Sequence, residues 1–252
     1  MRQKLLTTLL GVLCLGILTF PAQAADWAAI LADPDRPEAD RARDTNRMPD
    51  QVLPFFGIDA GQKVAEFLSG SGYYTRILVE TVGEQGTVYA GNNPEYLKFF
   101  EEPWNALFAT PVFRRVRRID GPIAQIALPQ DGSLDAVIIV LAYHDLYLPA
   151  FSLTEEDRVT ANARIFAALK PGGVYGIVDH HAKDGRGTSD ADSLHRIEES
   201  VIINAITAAG FVLAKKADVL RNLEDDRTKI VFDPSIRGKT DRFVLRFEKP
   251  AQ

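Results

Sequence analysis

Residues 64–75 constrain the fold of this chain more than any other stretch, because a strand, a glycine turn and a helix start follow one another there. Val64–Leu68 is a short apolar run, and Gly70 and Gly72 lie in the turn. Apolar or small residues then recur at the spacing of one helix face, at Ile77, Leu78, Thr81 and Val82. Glycine lets a backbone approach a ligand closely, and a helix N-terminus favours anions. The stretch therefore predicts a ligand-binding corner of an open α/β sheet.

Two common nucleotide-binding fingerprints do not fit this chain. The dinucleotide pattern G-x-G-x-x-G needs a third glycine where Thr75 stands. A P-loop needs the pattern G-x-x-x-x-G-K-[ST], in which a first glycine lies five residues before the glycine of Gly-Lys-Thr. The one Gly-Lys-Thr begins at Gly238, and Asp233 occupies the place of the first glycine. The corner is predicted to hold a different ligand.

The first 24 residues have the features of a secretory signal peptide. Arg2 and Lys4 precede an uncharged apolar run over residues 5–20, and Ala22-Gln23-Ala24 is a small-x-small cleavage site. A retained membrane anchor is the alternative. Cleavage would leave a chain without cysteine, since Cys14 lies in the leader. We expect a periplasmic or secreted protein that has no membrane contact after cleavage.

Composition limits the partners that such a chain can have. The net charge of −5 argues against a nucleic-acid surface but allows a small anionic ligand. The 252 residues suffice for one α/β domain with a full core. The oligomeric state is left open.

Residues 25–50 are rich in Asp, Arg, Ala and Pro, and Pro34, Pro37 and Pro49 divide them into short pieces. Two interpretations stay open for this segment. It is either a solvated N-terminal arm or lid, or a cap over a ligand site in which an arginine meets a carboxylate.

Strand-like and helix-like patterns alternate over residues 51–252, which predicts right-handed crossovers and a parallel sheet in one domain. Helices are predicted over 48–56, 73–82, from 93 onward, 154–169 and 194–209. Strands are predicted over residues 63–67, 87–91, 115–119, 135–142, 174–179, 211–218 and 241–247.

Polar residues collect where the predicted fourth and fifth strands end. The carboxyl ends of parallel strands meet at one edge of a sheet, and ligands bind there. His195 is predicted to open the next helix, so all four histidines of the chain belong to this edge. The cluster consists of Tyr143, His144, Asp145, Asp179, His180, His181 and His195.

The chain resembles class I S-adenosylmethionine-dependent methyltransferases, whose first motif is an acid followed by x-Gly-x-Gly-x-Gly. Glu66 takes the place of the acid, and Gly70 and Gly72 take those of the last two glycines. Two further blocks resemble the same class, namely Leu134-Asp135-Ala136-Val137 and Leu169-Lys170-Pro171-Gly172-Gly173. Other blocks resemble, more specifically, the predicted secreted methyltransferases of proteobacteria, and the resemblance covers residues 30–250. They are Tyr143-His144-Asp145-Leu146, Asp179-His180, Leu194-His195-Arg196-Ile197 and residues 237–243.

This resemblance implies a Rossmann-like, doubly wound α/β sheet of about seven strands. The sheet would be mostly parallel, with an antiparallel last strand and helices on both faces. It also implies S-adenosyl-L-methionine as cofactor and an unidentified small-molecule acceptor. The expected cofactor-binding residues are Glu66, Ser69, Gly70, Gly72, Tyr73, Asn92 and Tyr143.

Methyl transfer needs an aligned acceptor and sometimes a base. We expect His144 to be that base, oriented by Asp145 or Asp179, with His180 as a further catalytic residue. The alternative for His180 and His195 is that they only tie loops to the backbone. The expected substrate-binding residues are His195, Arg196, Arg237 and Lys239.

Three positions depart from the family pattern, and they leave a second function open. Leu68 replaces the first glycine, Asn92 stands where an acid would hold ribose hydroxyls, and Ala142 replaces an Asn. A catalytically silent relative that binds a ligand, metal or protein partner through the same crevice is the alternative.

A metal site is a third possible interpretation of this polar cluster. Imidazole and carboxylate groups suit zinc and similar ions. However, no H-x-x-x-H or C-x-x-C spacing accompanies them, so the sequence predicts no metal. The possible ligands are His144, Asp179, His180 and His195.

Overall fold

The computed structural model describes residues 25–251. The predicted signal peptide, and with it the expected export, lies outside the described residues. The helices are α1 (Trp27–Ala32), α2 (Glu38–Arg47), α3 (Pro49–Phe56), α4 (Tyr73–Val82), α5 (Pro94–Phe108), α6 (Glu155–Ala168), α7 (Ala191–Leu194) and α8 (Glu199–Ala208). Within residues 25–251, no helix is both long and apolar enough to cross a membrane.

Seven strands form one sheet in the order β3-β2-β1-β4-β5-β7-β6. The first five pair in parallel, and β7 runs antiparallel to both β5 and β6. This arrangement confirms the predicted fold class. The strands are β1 (Lys63–Phe67), β2 (Thr87–Gly91), β3 (Val116–Arg118), β4 (Leu134–Val140), β5 (Leu169–His180), β6 (Val212–Ala217) and β7 (Arg242–Glu248).

Helices cover both faces of the sheet, and each face has its own apolar core. Successive side chains of a strand point to opposite faces. Val64 of β1 therefore packs with α3 and α4, whereas Ala65 and Phe67 pack with α6 and α8. Glu66 is on the same face as Val64, so its carboxyl group lies toward α4.

The N-terminal segment packs against helix α4. Arg36 binds Asp44 through two hydrogen bonds of 2.7 Å, and the Tyr73 hydroxyl of α4 donates to Asp44 at 2.6 Å. Arg47 ends α2 with its guanidinium 4.6 Å from the Tyr73 ring centre. These contacts join α2 to the helix that follows the glycine turn.

Two predicted elements differ from the structure by more than two residues at one end. Residues 170–173, expected as a turn before the fifth strand, lie within β5. They bulge out between the pairs Leu134–Leu169 and Ala136–Val174. The helix predicted over 194–209 is interrupted, because His195 has a left-handed backbone with φ of 54°. His195 therefore follows α7 and does not open α8.

Candidate active site at the switch point of the sheet

A cavity of about 670 Å³ lies beyond the carboxyl ends of β1 and β4. The strand order reverses between these two strands, and ligands of open α/β sheets bind at such a switch point. Most of the residues that the sequence predicts for the site line this cavity. They are Glu66, Ser69, Gly70, Tyr73, His144, Asp145, His180, His195 and Arg237.

The glycine turn has the left-handed backbone that its pattern predicts. Leu68, Gly70 and Gly72 have φ of 59°, 58° and 80°. Leu68 is 4% exposed and its side chain both packs in the core and lines the cavity. Gly72 does not line the cavity. A Cβ on Gly72 would lie 2.4 Å from Leu107 of α5, so this glycine permits close helix packing.

Asn92 holds the glycine turn and does not line the cavity. It is fully buried. Its side-chain oxygen accepts from the Gly70 amide at 2.8 Å, and its side-chain nitrogen donates to the Gly70 carbonyl at 3.0 Å. Asn92 therefore does not face the cavity in this conformation, and its place as a substitute for a ribose-binding acid stays a prediction. A carboxylate has no N–H to donate to Gly70.

Glu66 lies at the end of β1 with its carboxyl group buried beside the cavity. The Thr75 hydroxyl donates to it. Burial raises the pKa of Glu66 to about 7, against the opposing effects of the hydrogen bonds from Thr75 and Ser69 and of the charge on Arg47. The carboxyl group is therefore partly protonated near neutral pH.

His144 is at the centre of a polar cluster over the ends of β4 and β5. Its Nδ1 lies 2.7 Å from Asp179 Oδ1, and its backbone amide donates to Asp179 Oδ2 at 2.7 Å. Its Nε2 lies 3.1 Å from Asp145 Oδ1 and 3.1 Å from His195 Nδ1. Asp179 is fully buried behind His144 and does not line the cavity.

The two carboxylates decide the charge of His144. Burial by itself would lower its pKa, but the charges and hydrogen bonds of Asp179 and Asp145 outweigh that effect and raise the pKa to about 10. An imidazolium has no lone pair with which to accept a proton. The structure thus argues against the predicted role of His144 as a base and makes it a buried positive charge.

His180 has the opposite character. Its Nδ1 lies 2.8 Å from the Thr240 hydroxyl, and its ring lines the cavity. Burial, together with the charge of His144, lowers the pKa of His180 well below its usual value. The ring is neutral at neutral pH, and a neutral imidazole can accept a proton from a ligand in the cavity.

Three further predicted site residues do not reach the cavity. Tyr143 is fully buried in the core, where its hydroxyl accepts from Asn162 at 3.1 Å. Arg196 is fully buried and forms a bidentate ion pair with Asp225 at 2.8 and 3.1 Å. Lys239 is exposed on the surface. None of the three lines the cavity, so their expected contacts with a cofactor or a substrate stay predictions without support from this geometry.

Some cavity residues were not predicted as site residues. Arg43 and Arg47 of α2 line the cavity mouth with their guanidinium groups 4.8 and 4.6 Å from the Tyr73 ring centre. Residues 25–50 thus contribute two guanidinium groups to the cavity, and their role as a cap stays a prediction. Tyr96 of α5 donates its hydroxyl to Asp145. Only the arginines had a signal in the sequence, because Tyr96 looks like an ordinary apolar helix residue.

Backbone strain also concentrates at the cavity. Leu68 follows β1, Leu141 follows β4, and His195 follows α7, with φ of 59°, 57° and 54°. All three line the cavity. A non-glycine residue in this region costs about 1 kcal/mol or more and is typical of functional sites.

Comparison with known proteins identifies the fold. No family model and no curated protein sequence matches the chain. A crystal structure of a SAM-dependent methyltransferase from Aquifex aeolicus matches with a TM-score of 0.56 and 21% identity, over 80% of this chain and 89% of that one. The fold is that of class I methyltransferases.

Two other solved structures show how widely this fold is used. Geranyl diphosphate C-methyltransferase from Streptomyces coelicolor, solved with Mg²⁺, geranyl diphosphate and S-adenosylhomocysteine, matches with a TM-score of 0.56 and 13% identity over 90% of both chains. The [4+2]-cyclase SpnF matches with a TM-score of 0.58 and 15% identity, over 87% of this chain and 86% of that one. At these identities the likeness establishes the fold and not an activity.

Proposed function

We propose that this chain is an S-adenosylmethionine-dependent methyltransferase that acts on a small molecule. The observation that carries the proposal is the cavity at the switch point, where the glycine turn after β1, the buried Glu66 and the histidine cluster face one volume. Its volume of about 670 Å³ is in the range of cofactor and small-molecule sites.

The residues at the glycine turn fit the donor in part. S-adenosylmethionine carries a methyl group on a positively charged sulfur. A lone pair of the acceptor attacks the methyl carbon, and S-adenosylhomocysteine leaves. The donor also carries an ammonium and a carboxylate group. Glu66 offers an acid for the ammonium group, and Arg47 offers a guanidinium for the carboxylate. Leu68 occupies space at the same turn, so we expect modest affinity.

The walls of the cavity favour a small acceptor over a macromolecule. Helix α2 covers one side through Arg43 and Arg47, and the loop before β7 contributes Phe232 and Arg237 to another. Arg237 suits an anionic group on the acceptor. We expect His180, whose neutral ring lines the cavity, to accept a hydrogen bond from the acceptor.

A catalytically silent, ligand-binding relative is the second candidate. The observation in its favour is that Asn92 is fully buried against Gly70 and does not line the cavity, so it presents no atom there to a ribose diol. Export, if the leader is cleaved as we propose, would also place the protein apart from the cytoplasm, where S-adenosylmethionine is made.

Calorimetric titration of the purified protein with S-adenosylmethionine and S-adenosylhomocysteine separates the two candidates. We expect micromolar binding of both, and its loss in Gly70→Val, since valine at a φ of 58° distorts the turn. Absence of binding at millimolar donor in the unaltered protein would refute the methyltransferase and leave the silent relative.

A matched pair of substitutions tests where the donor lies. Leu68→Gly and Leu141→Gly each relieve a left-handed leucine and each enlarge the same cavity, one beside β1 and one beside β4. We expect only Leu68→Gly to tighten S-adenosylhomocysteine, by about tenfold, because it opens the glycine turn. Equal effects of the two variants would mean that the donor does not lie at this turn.

A further inference from the structure

We propose that His144, Asp145 and His195 form a binding site for a divalent transition-metal ion at the edge of the cavity. His144 Nε2, His195 Nδ1 and Asp145 Oδ1 converge, and these atoms are separated by 3.1, 3.1 and 3.4 Å. The inference does not rest on methyl transfer, since the site is built by residues outside the glycine turn.

The separations match those between ligands that share one metal ion. Ions such as Zn²⁺ lie about 2.0–2.2 Å from imidazole nitrogen and carboxylate oxygen. Two ligands at that radius are about 3.0 Å apart in octahedral and about 3.4 Å apart in tetrahedral geometry. The triangle of donor atoms therefore matches one face of either polyhedron. Binding of the ion would release the proton that His144 carries on Nε2, because only a neutral imidazole has a lone pair for a metal.

The groups behind the three ligands hold them in this orientation. Asp179 accepts from His144 Nδ1 at 2.7 Å and from the His144 backbone amide at 2.7 Å, which directs Nε2 toward the shared point. Tyr96 donates to the second oxygen of Asp145 and so turns the first one toward the two histidines. A carboxylate or hydroxyl in this outer position accompanies most metal-binding histidines and carboxylates.

His195 is held in the third position by the backbone and by the ring of Phe232. Its φ of 54° turns the side chain back toward His144 after α7 ends, and its ring packs 4.8 Å from the Phe232 ring centre. The buried Arg196–Asp225 pair fixes the next residue. A histidine with a strained backbone and a fixed ring is more consistent with a metal ligand than with a residue that only anchors a loop, because anchoring a loop needs no particular ring orientation.

The donor set selects the class of ion. Two imidazoles and one carboxylate suit Zn²⁺, Fe²⁺, Co²⁺ and similar ions, whereas Mg²⁺ and Ca²⁺ prefer oxygen ligands. All three ligands line the cavity, so the remaining coordination positions of the ion face it. An oxygen that binds there is polarised and loses its proton more readily.

Titration of the purified, chelator-treated protein tests the site directly. We expect one equivalent of Zn²⁺ by calorimetry, a Co²⁺ d–d absorption band that Zn²⁺ abolishes, and no binding of Mg²⁺. Loss of a ligand in His195→Ala or Asp145→Asn should weaken Zn²⁺ by at least about 100-fold, and Tyr96→Phe by about tenfold. His180→Gln is the matched control, since its ring lines the same cavity outside the triangle, and we expect Zn²⁺ affinity within about twofold of the unaltered protein.

Three results would overturn this proposal. The first is no stoichiometric Zn²⁺ or Co²⁺ binding, which would make the triangle a hydrogen-bonded cluster only. The second is an equal loss of affinity in His180→Gln and His195→Ala. The third is Mg²⁺ binding in preference to Zn²⁺. Binding of S-adenosylhomocysteine is measured separately, so either proposal can fail without the other.

Discussion

Glu66 and His144 are buried ionisable residues beside one cavity, yet their surroundings change their pKa values for different reasons. Burial dominates at Glu66 and raises its pKa to about 7. At His144, two carboxylates overcome burial and raise the pKa to about 10. A partly protonated acid and an imidazolium thus face the same ligand space near neutral pH, which neither residue type would show in water.

The stability of the protein should report the state of Glu66. Between pH 4.5 and 7 the unfolded chain ionises this residue while the folded chain keeps it protonated, so the folded state loses stability as pH rises. Glu66→Gln keeps an acceptor for Thr75 and cannot ionise. Its free energy of unfolding, relative to the unaltered protein, should rise by about 3 kcal/mol from pH 4.5 to pH 8.

Urea unfolding at several pH values measures this difference. Glu101→Gln, on the exposed side of α5, removes the same charge at the surface and serves as control. A difference between Glu66→Gln and the unaltered protein that does not change with pH would contradict the assignment.

At the scale of elements, the loop between β6 and β7 shapes one wall of the cavity, and ion pairs hold it to the sheet. Asp225 of this loop binds Arg196, which follows α7, and both side chains are almost fully buried. Asp241 accepts from Arg221 at 2.7 Å and pairs with Arg227 at 2.9 Å. The position of Phe232 and Arg237 at the cavity depends on these contacts.

Asp225→Asn should destabilise the protein by about 3–5 kcal/mol, because it leaves Arg196 buried without a countercharge. The exposed neighbour Asp226 bonds only Thr228 within the loop, so we expect Asp226→Asn to cost less than about 0.5 kcal/mol. Thermal or urea unfolding of the two variants measures the contrast. Similar small effects in both would show that the loop does not depend on the buried pair.

At the scale of the whole molecule, the cavity is lined by several arginines although the chain as a whole is negatively charged. The chain carries a net charge of −5, but Arg43, Arg47 and Arg237 all line the cavity. Such local charge attracts anionic groups of ligands and is weakened by salt. The N-terminal segment supplies two of the three, so α2 is part of the site and not only its cover.

Arg47→Met and Arg114→Met change the net charge by the same amount at different places. Arg47 lines the cavity, whereas Arg114 is exposed and does not. We expect Arg47→Met to weaken S-adenosylhomocysteine by about tenfold through loss of a charge-assisted hydrogen bond, and Arg114→Met to leave it within twofold. Calorimetry decides this, and an equal loss in both variants would assign the effect to net charge.

Much of the fold could be predicted because periodicity and turn residues are local signals. The bounds of β1, α4 and β2 agree with the prediction residue for residue. The helix expected over 194–209 was wrong in its first turn, since nothing in Leu194-His195-Arg196 signals a left-handed residue. There the packing of His195 on Phe232 and of Arg196 on Asp225 overrides helix propensity.

The sequence by itself determined the class of fold, the glycine turn and the edge of the sheet where the histidines gather, because strand order and crossover handedness follow from the alternation of elements. Only the tertiary structure decided which of those side chains reach the cavity. Asn92 binds Gly70, Tyr143 packs in the core and Arg196 pairs with a residue 29 positions away. The charge of His144 and the convergence of His144, Asp145 and His195 likewise depend on neighbours that are brought close only by folding.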